Sequence, residues 1–536
     1  MIQQIPPVPD IPESELTPLV KSLLQIIQYQ AALLIEAKEE IQKLKDEIAI
    51  LKKGNKRPQV PPSSLETFPP KRNESLKRPG SAKKHKTRDL AIHNTQRIPP
   101  AELPKDAIFK DLHAYVVQDL LITNHNTKYL LERWQGVDGS YIVGQLPENV
   151  TGHFGPNLIS FILYQYYGAL VTRPRLLKQL HEFGVDISKG QLDIILTQKK
   201  ESFHAEKNNL LTEALRTSQF VQTDDTQARH AGKNGYCTVI TNPTFTWFET
   251  TNSKSRVNFL KLLHGDRLSY LIDATAIDYV KKHGGINALA LVNAFSQHRS
   301  MQFETETAWR DYLQQANIVK DFEVRVASEG ALLAGLLAEG VPKNLGILSD
   351  DAGQFNILEH ALCWIHEERH LKAIVPFNEQ NRQEIESILD RFWNLYQELK
   401  AYQKIPSEIK RKAIEEEFDA LFTTETMSGV FNRALSLIHK KKAELLKVLD
   451  RPEIPLHNNG SEQEIREYVK RRKISGGTRS NIGKQCRDTF TSLKKTCYKL
   501  GISFWEYLRG RLGIIRSIGY LPELIKERNL MFTRTF

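Results

Sequence analysis

Phe220-Val221-Gln222-Thr223-Asp224-Asp225-Thr226 is the stretch on which the fold turns: apolar and β-branched residues carry it as a strand, and it ends in carboxylates. Two further strand-like segments follow, Gly235 to Thr241 and Phe245 to Thr250, and then a helix over Ser255 to Leu263. Leu345-Gly346-Ile347-Leu348-Ser349-Asp350-Asp351 repeats the theme of a buried-looking strand that stops at acids. A third acid, Glu462, lies in Asn458-Asn459-Gly460-Ser461-Glu462, where an Asn/Gly turn precedes a helix continuing through Ile465, Arg466 and Val469. Taken singly, an acid at a strand end is usually a cap, a turn residue or a surface charge. The ordered set of strand acid, second strand acid and helical acid is what points to chemistry.

Three consecutive strands with an acid on the first are how a ribonuclease H-like fold begins. The pattern therefore predicts an α+β multidomain protein built around a ribonuclease H-like α/β catalytic core. Attack on a phosphodiester needs a deprotonated nucleophile and a stabilised leaving oxygen, which two divalent ions about 4 Å apart supply together. Magnesium prefers hard oxygen ligands, so one acid of the Asp224-Asp225 pair, one of the Asp350-Asp351 pair and Glu462 are the candidate catalytic and metal-holding residues for two Mg2+ ions, with Mn2+ as a substitute. Asp273, at the end of the strand-like Leu268 to Ile272, is the rival for Asp350.

Composition agrees with a nucleic-acid partner. Lys and Arg number 74 against 63 Asp and Glu, a net charge of +11, which favours a polyanion. At 536 residues the chain exceeds one hydrophobic core. Its four cysteines, at 237, 363, 486 and 497, make no disulfide framework and suit a reducing cytosol. Met1 to Glu15 is proline-rich and acidic rather than basic then apolar, and no run approaches the length of a membrane span. The expected place is the cytoplasm, with no membrane partner.

Residues 1–53 read as a dimerisation helix. Val20, Leu23, Ile27, Leu34, Ala37, Ile41, Leu44, Ile48 and Leu51, with Gln30 the polar member, recur at alternating spacings of three and four. That heptad favours a parallel two-stranded coiled coil and hence a homodimer or higher oligomer through residues 20–51. Residues 54–105 read as a basic, proline-rich linker. From Lys52 to Arg88 there are twelve Lys or Arg against Glu66 and Glu74, and the prolines at 58, 61, 62, 69, 70 and 79 exclude regular structure. Lys77, Arg78, Lys83 and Lys84 are its candidate phosphate contacts. In residues 106–200, Tyr115 to Leu120 and Tyr129 to Trp134 alternate as short strands, and Asn157 to Leu170 is an apolar helix. Arg175 to Phe183, the Gly184 turn and a helix capped by Ser188 and running to Thr197 then outline a helix-turn-helix, with Lys189 a candidate DNA contact. Cys363 and His366 share a helix face with His360 and His370, which suits a packed helix with a buried cysteine better than a metal site.

Asn458-Asn459-Gly460-Ser461-Glu462-Gln463-Glu464-Ile465-Arg466, with Arg472-Lys473 and Gly476-Gly477 after it, resembles the C-terminal signature of the insertion-sequence-66 family of bacterial DDE transposases. In that family an Asn pair, two residues, the catalytic Glu and an Ile-Arg recur. Thr223-Asp224-Asp225-Thr226 is similar to the first acidic motif, Asp-Glu-Thr, and points to Asp224 rather than Asp225. Asp350 with Phe355-Asn356 and then Cys363-Trp364-Ile365-His366 is similar to the second. The likeness runs from the N-terminal helix to Leu508. It departs at His457, where the family has Asp, at Gln463, where it has Arg, and in residues 90–200, which lack the cysteines of the zinc module found in most members. Without that zinc, the strands from 108 to 146 are expected to hold by packing alone.

The resemblance implies a transposase that binds the terminal inverted repeats of its insertion sequence, cleaves strands with magnesium and joins them to target DNA. Its partners would be double-stranded DNA at the element ends and target, a second copy of itself and accessory proteins of the element. Arg466, Arg472 and Lys473, on or just after the Glu462 helix, are placed to contact phosphate. The expected organisation is a catalytic core over 215–372 that carries an insertion at 274–345, a helical insertion over 373–454 and completion of the core with C-terminal helices over 455–536. A transposase-derived binding protein without catalysis, and a ribonuclease H-like nuclease without strand joining, are the alternatives.

Overall fold

The computed structural model describes residues 17–27, 29–30, 91–102, 104, 106–147, 150, 152–516 and 518–533. The expected heptad beyond residue 30 and the basic linker up to residue 90, with Lys77, Arg78, Lys83 and Lys84, lie outside these. Within the described part, residues 18–27 are helical and Leu24 is buried. Compact units divide as 33–126 and, separately, 1–32 with 127–536. The described residues of the smaller unit form no helix or strand, although Arg97 stacks over Phe109 at 5.0 Å.

Tyr115 to Leu120 is accordingly not a strand. Its apolar residues alternate but Tyr115, Val117 and Leu120 are exposed, and alternation makes a strand only where a neighbouring strand and a core accept it. In the larger unit the expected strand at Tyr129 to Trp134 shrinks to β1 (Arg133–Gln135), paired antiparallel with β2 (Tyr141–Val143). All six residues are exposed, so packing does not hold this hairpin as the sequence suggested; two three-residue strands have too little area to bury.

The main sheet gathers β3 (Phe220–His230), β4 (Lys233–Thr241), β5 (Thr246–Thr251), β8 (Gly346–Ser349) and β9 (Glu359–Leu362) in the order β5-β4-β3-β8-β9. The first three are antiparallel and consecutive; β8 and β9 join parallel to β3. The first strand does not end at its acids as the sequence suggested: it runs on to His230, paired with β4 throughout, so Asp224 and Asp225 lie in its middle. A two-residue turn, Ala231-Gly232, with both φ angles positive, closes the β3–β4 hairpin, the geometry that matches strand twist. Val221 and Ile347 face the large core, together with Ile240, Trp247 and Phe259. On the opposite face Leu348 packs with Phe220 and Ile454.

The stretch 274–345 packs into that same large core through Val280, Phe295, Trp309 and Leu332. Its short strands, β6 (Tyr270–Leu271) just before it and β7 (Gln302–Phe303), pair only with each other. Helices at Glu379–Lys404, Glu408–Phe422 and Gly429–His439 build a second core around Trp364. Trp364 lies at the start of the Trp364–Lys372 helix, its ring among Phe392, Tyr396, Phe418 and Phe422.

Edge strand β5 is covered by the Asn481–Lys499 helix in an unusual way. Asp488, Ser492 and Thr496 accept hydrogen bonds from the backbone N–H groups of Thr250, Phe248 and Thr246, at 2.9, 2.9 and 3.1 Å. Four helical residues rise about 6 Å and two strand residues about 6.8 Å, so the two periods nearly match. The exposed edge is thereby satisfied and closed to further strands. Among the described residues no helix is long and apolar enough to cross a membrane.

Candidate active site

Strand register decides where the first two acids meet. β3 and β8 run parallel with Gln222 opposite Leu348, so two residues further on Asp224 stands opposite Asp350. Adjacent strands lie about 4.8 Å apart, and residues of equal parity share a face. Both carboxylates therefore leave the sheet side by side, on the face of Phe220, Gln222 and Leu348.

Asp350 begins where β8 ends. Its carboxylate accepts the N–H of Ala352 at 3.2 Å, and Ser349 Oγ donates to the Asp350 carbonyl at 2.6 Å. Asp225, of opposite parity, accepts from Gln354 Nε2 at 2.8 Å. Its own N–H donates to Asp224 at 2.7 Å. Burial, then the negative charge of Asp350, push the Asp224 carboxyl up to about 7, against the hydrogen bond from the Asp225 N–H, which lowers it.

Glu462 arrives from the first turn of the Asn459–Ser475 helix, whose start is fixed by three contacts. Asn458 Nδ2 donates to the Thr223 carbonyl at 2.8 Å, Ser461 N–H to Gln222 Oε1 at 3.1 Å, and Asn458 N–H to Cys363 Sγ at 3.2 Å. Gly460 lies so close to the Gln222 amide that a Cβ there would collide with it. The Asn-Asn-Gly turn is thus shaped to lay the helix start against β3, directly before Asp224. Glu462 faces Arg369 Nη1 at 3.2 Å, His366 Nε2 at 3.7 Å and Arg466 Nη2 at 3.8 Å. Burial, then the nearby Arg369 charge, lower the His366 pKa.

Asp273 is used otherwise. It caps the Ala274–His283 helix by accepting the Ala276 N–H at 3.0 Å, and its strand stays outside the main sheet. Glu464 points away from Glu462 and pairs with Lys495 at 2.9 Å and Lys499 at 3.6 Å.

Among the basic candidates, Arg466 and Lys473 are exposed and Arg466 adjoins the acids. Arg472 is committed to the Gln227 carbonyl, and its neighbour Arg471 is buried against Tyr166 and Tyr167. Lys189 is exposed at the start of the Lys189–Thr197 helix, where Ser188 caps through the Gln191 N–H at 3.1 Å. Arg173, on the Arg173–Glu182 helix, ties the two helices together through Asp193 at 2.8 Å.

Cation binding is a natural answer to this charge distribution. Asp224 and Asp350 make no ion pair with a described residue, the Asp350 charge raises the proton affinity of Asp224, and oxygen donors from three elements suit a hard divalent ion. Among the described residues no three His, Cys, Asp or Glu side chains are drawn in around one point. Glu462 is turned instead toward Arg369.

The sequence did not single out Arg369, Gln222 or Gln354, and it gave Cys363 and His366 only a packing role. Gln222 carried the one available signal, a polar side chain inside an apolar strand at the parity of Asp224.

The Transposase IS66 family model matches residues 151–276 and 345–485, which include Asp224, Asp350 and Glu462 and pass over 277–344. A Sinorhizobium fredii (strain NBRC 101917 / NGR234) protein, named Uncharacterized protein y4jO, is 38% identical over 307 residues, 57% of this chain and 95% of that protein. With the family's matched segments carrying both strand acids and the helical acid, the chain belongs to the Transposase IS66 family.

Proposed function

We propose that this protein is a DDE transposase that binds the terminal inverted repeats of its insertion sequence and catalyses magnesium-dependent strand cleavage and strand transfer. The register that sets Asp224 beside Asp350, with the Glu462 helix start laid against the same strand, carries this reading. The strand order, antiparallel over the first three strands and parallel over the last two, supports a ribonuclease H-like core. Asp224, Asp350 and Glu462 would hold two Mg2+ ions, or Mn2+ in their place. Bound there, such ions lower the pKa of an attacking water or 3′-hydroxyl and stabilise the departing oxygen.

The chain's own residues do the positioning. Gln222, Thr223 and Cys363 hold the turn before Glu462, so the third carboxylate is presented at the level of the other two. Arg466 offers positive charge beside the acids for DNA phosphate, Lys473 does so at the far end of the same helix, and Lys189 on the helix-turn-helix. Double-stranded DNA is the partner, with pairing of two copies through residues 20–51 and accessory proteins of the element completing the assembly in the bacterial cytoplasm.

Glu462→Gln tests the reading, because it keeps size and removes a hard anionic ligand. On DNA carrying the element's end, magnesium-dependent cleavage should fall by several orders of magnitude, while gel-shift affinity changes by less than about 1 kcal/mol. Equal cleavage by variant and wild type removes Glu462 from the site. No cleavage by the wild type on a verified end leaves a DNA-binding descendant, and cleavage without joining leaves a nuclease.

A further inference from the structure

The positive charge at the acid cluster is distributed unevenly. Glu462 is bracketed by Arg369, His366 and Arg466, whereas Asp224 and Asp350 pair with no described cation. Arg369 is the closest of the three, at 3.2 Å, and its guanidinium also lies 3.4 Å from His366 Nε2. Its side chain is 40% exposed while that of Glu462 is 14% exposed, so the pair sits at the mouth of the cluster with the arginine on the solvent side.

The backbone beneath Arg369 is held firmly. Trp364 anchors the helix by donating from Nε1 to the Leu445 carbonyl at 2.9 Å and from its backbone N–H to the Leu456 carbonyl at 3.0 Å. One turn on, Glu367 is buried and pairs with Lys441 at 2.9 Å. The guanidinium can therefore swing on its own side chain without leaving the site. The pair opens to solvent on its arginine side, which lowers the cost of breaking it, and a planar guanidinium fork matches a phosphate as well as a carboxylate.

We infer that Arg369 is a substrate-phosphate contact held in reserve on Glu462. Resting on the proposed carboxylate site, the inference is that a divalent ion taking up Glu462 displaces the guanidinium, which then binds a DNA phosphate at the cluster. One residue thereby makes metal binding and DNA binding support each other, and in the absence of metal it covers the third carboxylate.

Two measurements on the full chain test this, with Arg369→Gln, Arg369→Lys and Glu462→Gln beside the wild type. The first is fluorescence anisotropy of a labelled duplex copied from DNA bordering the coding region, titrated over a range of salt in EDTA and in Ca2+. For the wild type, Ca2+ should steepen the slope of log affinity against log salt by about 0.9, the signature of one further phosphate neutralised. Arg369→Gln should show the same slope in both media, and Arg369→Lys should recover part of the change. The second is Mn2+ binding without DNA, followed by electron paramagnetic resonance. Arg369→Gln should bind Mn2+ roughly twofold to fivefold more tightly, because Glu462 is released, and Glu462→Gln more weakly.

A Ca2+-dependent slope change that survives in Arg369→Gln, or Mn2+ affinity unaltered by it, overturns the inference while Glu462→Gln still weakens Mn2+ binding. Mn2+ binding indifferent to Glu462→Gln overturns the carboxylate site itself. Thermal melts within a few degrees of wild type establish that each substitution leaves the fold in place.

Discussion

Cys363 Sγ accepts the backbone N–H of Asn458 at 3.2 Å, tying the end of β9 to the turn that carries Glu462. The thiol is fully buried, and burial pushes its pKa up, so it acts as a neutral acceptor rather than as a nucleophile or metal ligand. Cys363→Ala should leave the Asn458 amide without this partner and cost about 1–3 kcal/mol in urea denaturation. Cys363→Ser, which keeps an acceptor, should cost less. Cleavage by the alanine variant should fall further than DNA affinity does, because only the Glu462 turn is released.

Trp364 is the anchor of the second core. Its ring is fully buried among four aromatic side chains, and Trp364→Ala should destabilise the protein by about 3–5 kcal/mol. Trp364→Phe should lose less, retaining the packing but not the bond to the Leu445 carbonyl. Differential scanning calorimetry checks both. A loss below about 1 kcal/mol for the alanine variant would mean that this core stands without its central ring.

His360 links stability to pH. Burial lowers its pKa from 6.5 to about 4, with Ser349 Oγ beside Nε2 at 2.9 Å. Because the unfolded chain takes up the proton first, the neutral ring's contribution is present above pH 6.5 and is lost as pH falls toward 4, by up to about 3 kcal/mol. Other groups oppose this, Asp224 among them, so the informative quantity is the difference between wild type and His360→Asn. Between pH 7 and pH 4.5 the urea midpoint of the variant should fall less. Parallel curves would place the ring's charging outside this window.

The basic linker should reveal itself through salt. From Lys52 to Arg88 the chain concentrates twelve basic residues, and removing 54–88 while keeping the N-terminal helix should flatten the salt dependence of DNA binding. Every phosphate that the shortened chain no longer neutralises lowers the slope by about 0.9. An unchanged slope would make the segment a tether only.

Much of the core was legible because its signals are local. The strands that carry acids at 220–226 and 345–351, the helix beginning at Ser255, the Ser188 cap, the Gly184 turn and the helix after Asn459 all depend on neighbours within a few residues. The strand expected at Tyr115 to Leu120 failed for the opposite reason, since alternation states a preference for a sheet and cannot provide one.

By itself, the sequence determined which strands carry acids, the charge balance, the helix starts and the order in which the three acids occur, all properties of short-range chemistry. Only the tertiary structure decided that Gln222 pairs with Leu348, which brings Asp224 level with Asp350, and that β6 turns to β7, which gives Asp273 to a helix cap. It alone also brought Arg369 to Glu462 across 93 residues, and set Asp488, Ser492 and Thr496 against the amides of β5. Register and packing are long-range choices, fixed by which buried faces and unpaired backbone groups can satisfy one another, and no window of sequence contains both halves of such a pair.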